Sequence, residues 1–148
     1  MFDTFGYVGF VSHTRLGEFV THLRAGRLVA ARCLQCGATS LPPRADCADC
    51  LGAEFEWVET SGAGTLFAFT TVVAPPAGFE RLAPYTLGLV ALDNGARLLA
   101  PLVEQHGLTL GDPVRVVPHI VRASDGERVL FQVHPHHDSQ PAKATESL

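Results

Sequence analysis

Residues 32–50 read RCLQCGATSLPPRADCADC and hold all four cysteines of the chain, Cys33, Cys36, Cys47 and Cys50. Two C-x-x-C pairs separated by ten residues are metal-ligand spacing: each pair grips an ion from a tight turn, and the intervening loop lets the pairs meet as a tetrahedron. Glycine follows closely on each pair, and Gly37 and Gly52 are expected to supply the unusual backbone angles of such knuckles. Four thiolates complete zinc's coordination shell, so the ion they imply is structural and leaves no open position for water or substrate. The same residues admit other uses. Disulfides suit an oxidising compartment and a thioredoxin-like pair needs a βαβ context, neither of which the rest of the chain suggests. A rubredoxin-like iron site has nearly the same ligand spacing, and visible absorbance of the pure protein distinguishes it.

A segment of about thirty residues cannot bury enough surface to fold alone, so metal binding has to supply folding free energy, on the order of 10 kcal/mol in small zinc modules. On this reading, replacing Cys47 by Ser loosens the ribbon and leaves the rest of the protein untouched.

Working outward, a helix is predicted upstream from about residue 15 to 25, where Leu16, Phe19, Val20 and Leu23 fall on one face. Ser12 or Thr14 can cap its start and Gly26 its exit. Its apolar stripe covers either the protein's own core or a partner. Downstream, five β-like runs stand between turn signals: GTLFAFTTVVA, YTLGLVAL, ARLLAPLV, PVRVVPHIV and ERVLFQVH. The breaks include the hairpin signal Asp93 to Gly95 and the stretch Ser124 to Gly126. Five strands with a longer connection between the third and fourth is the pattern of a small OB-type barrel. Pro101 and Pro118 then belong at strand ends, edges or bulges. The expected division is an N-terminal segment and helix (1–27), a zinc ribbon (28–60), an OB-fold (61–135) and a loose tail (136–148).

At 148 residues, 47% apolar and 18% charged, the chain is a well-packed globular protein. No stretch approaches the roughly 20 apolar residues of a membrane helix, and the N-terminus lacks a basic leader, so the expected compartment is the cytoplasm. Net charge is −4, with five Arg against four acids in residues 1–50 and six basic residues against eleven acids in 51–148. An OB groove for single-stranded nucleic acid combines positive charge with stacking aromatics, and the acidic barrel half excludes that class.

In order and content the chain resembles the family of domain of unknown function 35, DUF35. The features that carry the likeness are FVTHLRAGRLVAARC, the CLQCG and CADC knuckles, LPPRADC, FEWVETSGAGTLFAFTTV, APYTLGLVALDNGARLLAPLV, LTLGDPVRVVP and VLFQVHP. The resemblance spans about residues 15–135. It implies an acyl-CoA-associated protein with an N-terminal rubredoxin-like zinc ribbon and a C-terminal OB-fold, built into a hetero-oligomer beside a catalytic chain. Thiolase-like enzymes, acyl-CoA hydratases and aldolases are the implied partners. The narrower likeness is to the small subunit of a catabolic thiolase of the benzoylsuccinyl-CoA type. A stand-alone acyl-CoA-binding OB module is the alternative.

Catalytic motifs are missing: there is no G-x-S-x-G elbow, Walker loop or GxGxxG fingerprint. A thiolase needs a reactive cysteine, and all four are assigned to metal. No residue is therefore assigned a catalytic role. Candidate contacts with a ligand or partner are Phe79 and Arg81 in the loop APPAGFERLAPY, Arg44 in LPPRAD, and Phe19 and Leu23 on the helix. Each Arg could pair with a CoA phosphate or a partner carboxylate. The aromatic N-terminal residues Phe2, Phe5, Tyr7 and Phe10 are expected to dock on the same partner.

Overall fold

The computed structural model describes residues 16–104, 106–123 and 126–136. The expected docking role of Phe2, Phe5, Tyr7 and Phe10 and the expected tail beyond residue 136 lie outside the described residues.

Helix α1 (Leu16–Arg24) presents Phe19, Val20 and Leu23 as its buried face. At nine residues it is too short to persist by itself and depends on what it packs against. Its C-terminus closes as a paired cap: the Arg27 amide donates to the His22 carbonyl at 3.0 Å and the Gly26 amide to Leu23 at 2.9 Å. Gly26 adopts φ +73° to make that turn.

The ribbon is a three-stranded antiparallel sheet in the order β2 (Thr39–Ser40), β1 (Val29–Cys33), β3 (Phe55–Glu59). Five strands follow at the positions read from the sequence: β4 (Ala63–Val72), β5 (Tyr85–Leu92), β6 (Arg97–Pro101), β7 (Pro113–Ala123) and β8 (Gly126–Pro135). Their order, β6-β5-β4-β7-β8, is antiparallel throughout, and a parallel bridge between Leu102 and Val133 closes β6 onto β8. That arrangement is an OB barrel. The fold is thus mainly β, with one short helix.

Strand β5 alternates half-buried and buried residues along its whole length, and β6 does the same with Leu98 and Ala100 inside. Gly88 points inward, where an added Cβ would meet Leu66 at 3.2 Å and Leu102 at 3.5 Å. The gap it leaves admits Leu66 of β4 and Leu102 just beyond β6, which flank β5 on its two sides. The turn at Asp93 to Gly95 closes with Leu92 donating to Ala96 at 2.9 Å and Gly95 at φ +90°. Pro101 ends β6. Pro118 lies on the part of β7 beyond Arg115, where β4 has ceased to be its neighbour, so the missing N–H costs the sheet nothing.

One continuous core runs through helix, ribbon and barrel. It includes Phe19 and Leu23 of α1, Leu28, Val29 and Leu41 of the ribbon region, and Leu66, Val90, Leu98, Val116 and Val133 of the barrel. Phe19 stacks on Trp57 of β3 at 6.3 Å and meets Phe131 of β8 edge-on at 6.4 Å. The helix therefore seals the seam between ribbon and barrel. Phe19 and Leu23 are each fully buried, and this corrects their expected role as partner contacts: their surface is already consumed inside the chain. The shared core also corrects the picture of a ribbon that loosens alone. Gly62 locks the junction between β3 and β4, where a Cβ would fall 2.0 Å from the Val116 carbonyl oxygen.

Candidate metal centre and adjoining clefts

Both cysteine turns are built alike. In the first, the Gly37 amide donates to the Cys33 carbonyl at 2.9 Å and the Cys33 amide to Ala38 at 2.8 Å. In the second, Leu51 donates to Cys47 at 3.0 Å and Cys47 to Gly52 at 2.9 Å. The fourth residue after the leading cysteine takes the left-handed conformation in each: Gly37 at φ +78° and Leu51 at φ +61°. The sequence expectation for Gly52 is thus corrected by one position. Gly52 is required for a different reason, since a Cβ there would lie 2.8 Å from Gln35 Oε1 and 3.3 Å from both Cys33 Sγ and Cys50 Sγ.

The four Sγ atoms all lie within 4.8 Å of one another. Cys33 and Cys50 approach to 3.6 Å and Cys36 and Cys47 to 3.5 Å. All four are free thiols. Sulfurs roughly 2.3 Å from a zinc ion at tetrahedral corners stand about 3.8 Å apart, so the four positions fit that ion closely.

The thiols titrate unequally. Amide N–H groups of the first turn, Cys36 foremost, lower Cys33 to about 7 against the opposing effect of burial. The Gly52 amide pulls Cys50 down too, but burial and the surrounding thiols of Cys36, Cys33 and Cys47 outweigh it and push Cys50 up to about 12. Four thiolates this close repel one another, and a divalent cation removes the penalty. Held by Cys33, Cys36, Cys47 and Cys50, zinc would serve as a cross-link, because a complete thiolate shell offers no exchangeable position for catalysis. The cross-link ties the end of β1 to the loop that leads into β3.

Two clefts flank this module. The larger, of about 770 Å³, lies beside β6 and the loop between β4 and β5, and Phe79 is part of its wall. Phe79 is half-buried and packs against Tyr85 at 6.2 Å. Arg81 is exposed on the same loop and is not among the residues that wall either cleft. Arg44, also exposed, lines a second cleft of about 210 Å³ between ribbon and β6. The structure thus brings Phe79 to one cleft and Arg44 to the other, and leaves Arg81 outside both. Sequence reasoning passed over Arg97 and Leu99, which face these clefts from β6. Their signal was the alternation RLLAP, in which an outward Leu beside an outward Arg is an unusual pairing for a solvated face.

Residues 21–56 match the model described as ChsH2, rubredoxin-like zinc ribbon domain, and residues 57–119 match ChsH2, C-terminal OB-fold domain. A DUF35 domain-containing scaffold protein of Methanothermobacter thermautotrophicus is 30% identical over 70% of this chain and 80% of its own length. Its counterpart in Methanocaldococcus jannaschii is 35% identical over 52% of this chain, a match that spans only 55% of that protein. The benzoylsuccinyl-CoA thiolase subunit BbsA of Thauera aromatica is 34% identical over 61% of each chain. Among solved structures, the Ltp2-ChsH2(DUF35) aldolase superposes with a TM-score of 0.61 at 26% identity, covering 83% of this chain and 98% of that one. With its paired cysteine turns, its barrel order and these relatives, the chain belongs to the DUF35 family of zinc-ribbon and OB-fold proteins.

Proposed function

We propose that this chain is a noncatalytic accessory subunit of an acyl-CoA-processing enzyme, a thiolase-type one first of all, in a cytoplasmic hetero-oligomer. The observation that carries the reading is the fate of the cysteines. All four that the chain possesses converge on one metal centre, and a thiolase acyl-enzyme needs a free, activated thiol. The nucleophile then comes from another chain, and this one contributes structure and contact surface. The likeness to a thiolase subunit supports that partner. A second reading has its own support: the solved aldolase structure, which resembles a larger share of this chain, favours an aldolase partner.

Co-expression with the neighbouring open reading frames, followed by affinity capture and size-exclusion chromatography, tests the proposal. The expected result is a stable complex with a thiolase-type chain, whose activity falls when this subunit is left out. A chain that elutes as a monomer beside thiolase-type and aldolase-type partners alike would overturn it.

A further inference from the structure

Strand β4 has two neighbours only over its first part. It pairs with β5 along residues 64–72, but with β7 only at Ala63, Gly64 and Thr65. At Leu66 the loop before β7 takes over: the Leu66 amide donates to the Asp112 carbonyl at 3.0 Å, and the Gly111 amide to the Leu66 carbonyl at 2.9 Å. The register then slips at Phe67, a bulge, and among the described residues no strand lies on that side of residues 68–72.

Hydrogen-bond alternation shows which groups face the gap. The Leu102 amide donates to the Thr86 carbonyl at 2.9 Å, so Thr86 directs its backbone groups toward β6. Successive residues of a strand point their N–H and C=O groups to opposite sides, so Tyr85, Leu87 and Leu89 direct theirs toward β4. Their registered partners are Val72, Thr70 and Ala68. Phe69 and Thr71, which stand between those partners, therefore turn amide and carbonyl to the open edge.

Free edges are blunted in native proteins by charge or proline. The stretch of β7 beyond Arg115 follows that rule, with Pro118 and an exposed Arg122. The free stretch of β4 does not. Residues 63–79 include no charged side chain, and Phe67, Phe69 and Val73 are all exposed. An uncharged edge of aromatic and β-branched residues is a template for another strand.

The order of residues points to which strand. An antiparallel second copy centred on Thr70 sets Phe69 of each copy opposite Thr71 of the other, so the outward-facing residues exchange both hydrogen bonds on either side of the axis. Ala68 then meets Val72, and no charge in residues 63–79 meets its like.

We propose that the free edge of β4 is a two-fold self-pairing surface, on which a second copy of this chain adds its own β4 through residues 68–72. The pairing is independent of which enzyme the chain serves, and it brings the subunit into any assembly as a pair.

Sedimentation velocity of the full zinc-loaded chain across the micromolar range tests it. The wild-type chain should pass from monomer to dimer as concentration rises. Thr70 is exposed and stands on the axis, with its Cβ about 4.5–5.5 Å from that of its mate. Thr70→Lys sets two ammonium groups face to face, and Thr70→Glu two carboxylates. Each should weaken dimerisation at least about tenfold. An equimolar mixture of the two variants should recover the dimer, which a misfolded variant could not do. A monomeric wild type, a dimer indifferent to both substitutions, or a mixture that stays monomeric would each overturn the pairing. Amide exchange at Phe69 and Thr71 then identifies another occupant. Protection lost on deleting residues 1–14 assigns the edge to the chain's own N-terminal segment, and protection gained only beside the enzyme partner assigns it to that partner; in a monomeric chain either result removes the self-pairing.

Discussion

Phe19→Ala is the perturbation that most directly separates a side chain serving its own fold from one serving a partner. Phe19 is completely buried and touches two modules at once, Trp57 in the ribbon and Phe131 in the barrel. Truncating a fully buried Phe costs about 3–5 kcal/mol, from lost transfer free energy plus the cavity left behind. The upper half of that range applies, because two aromatic pairs go with the ring and each contributes about 0.5–1.5 kcal/mol. In a domain this size such a loss lowers Tm by about 10 °C or more. The assay is thermal unfolding of the zinc-loaded chain, followed by the fluorescence of Trp57, the chain's single tryptophan. Emission should shift in the folded variant, since the indole loses its stacking neighbour. Arg24→Ala supplies the control: its contact with Glu127 is 3.8 Å between exposed side chains, and its removal should cost no more than about 1 kcal/mol. If Phe19→Ala melted within about 2 °C of wild type with Trp57 emission unchanged, yet failed to assemble with its partner enzyme, the sealing role would be refuted.

Three further outcomes follow from the metal centre and the barrel. Cys47→Ser should lower bound zinc below one equivalent and lower Tm along the whole unfolding transition, because ribbon and barrel share a core; retention of zinc at wild-type Tm would contradict the four-ligand site. Leu51→Gly should stabilise by about 0.5–1 kcal/mol, since Leu51 is 79% exposed and held at φ +61°, and glycine relieves the left-handed penalty without losing packing; a lower Tm would show that the side chain matters more than the backbone. His134 is held below its ordinary 6.5 by burial first, with His119 adding to the shift and Glu104 opposing it. Its folded-state value lies under its unfolded one, so the unfolded chain takes up the proton first. The stability it contributes is complete above about pH 6.5 and falls as pH drops toward the folded value. Denaturant titrations at several pH values should show that slope, and His134→Gln should flatten it.

Much of this architecture was legible because it is encoded at short range. Alternation within each β-run and the glycine-bearing turns place five strands, and the two cysteine pairs announce a metal centre before any fold is known. The left-handed position in the second turn was missed for an instructive reason. Glycine at position 52 looked like a conformational requirement, but the hydrogen-bond pattern shared by the two turns puts that requirement on residue 51 and a steric one on residue 52. Two different demands fell on adjacent residues, and composition alone assigns both to the glycine.

What one face of α1 buries was also open, because a stripe of Leu16, Phe19, Val20 and Leu23 states that the face is covered and says nothing about by what. That answer depends on Trp57 and Phe131, which are 38 and 112 residues further along the chain. The clefts lie at the same remove. Arg44 and Arg97 are separated by more than fifty residues and become neighbours only because the ribbon folds back against β6, an approach that the Thr39 hydroxyl marks by donating to the Asn94 carbonyl at 2.8 Å. The metal cross-link shapes the ribbon loop from which Arg44 and Pro42 reach the cleft, so loss of zinc should displace Arg44 from Arg97. The structural ion, though closed to chemistry itself, then sets the geometry of the cleft that Arg44 and Arg97 line. Amide hydrogen exchange of the Cys47→Ser chain at a temperature where it remains folded checks this link: residues 41–46 should lose protection, and wild-type protection there would show that the loop holds its shape without the ion.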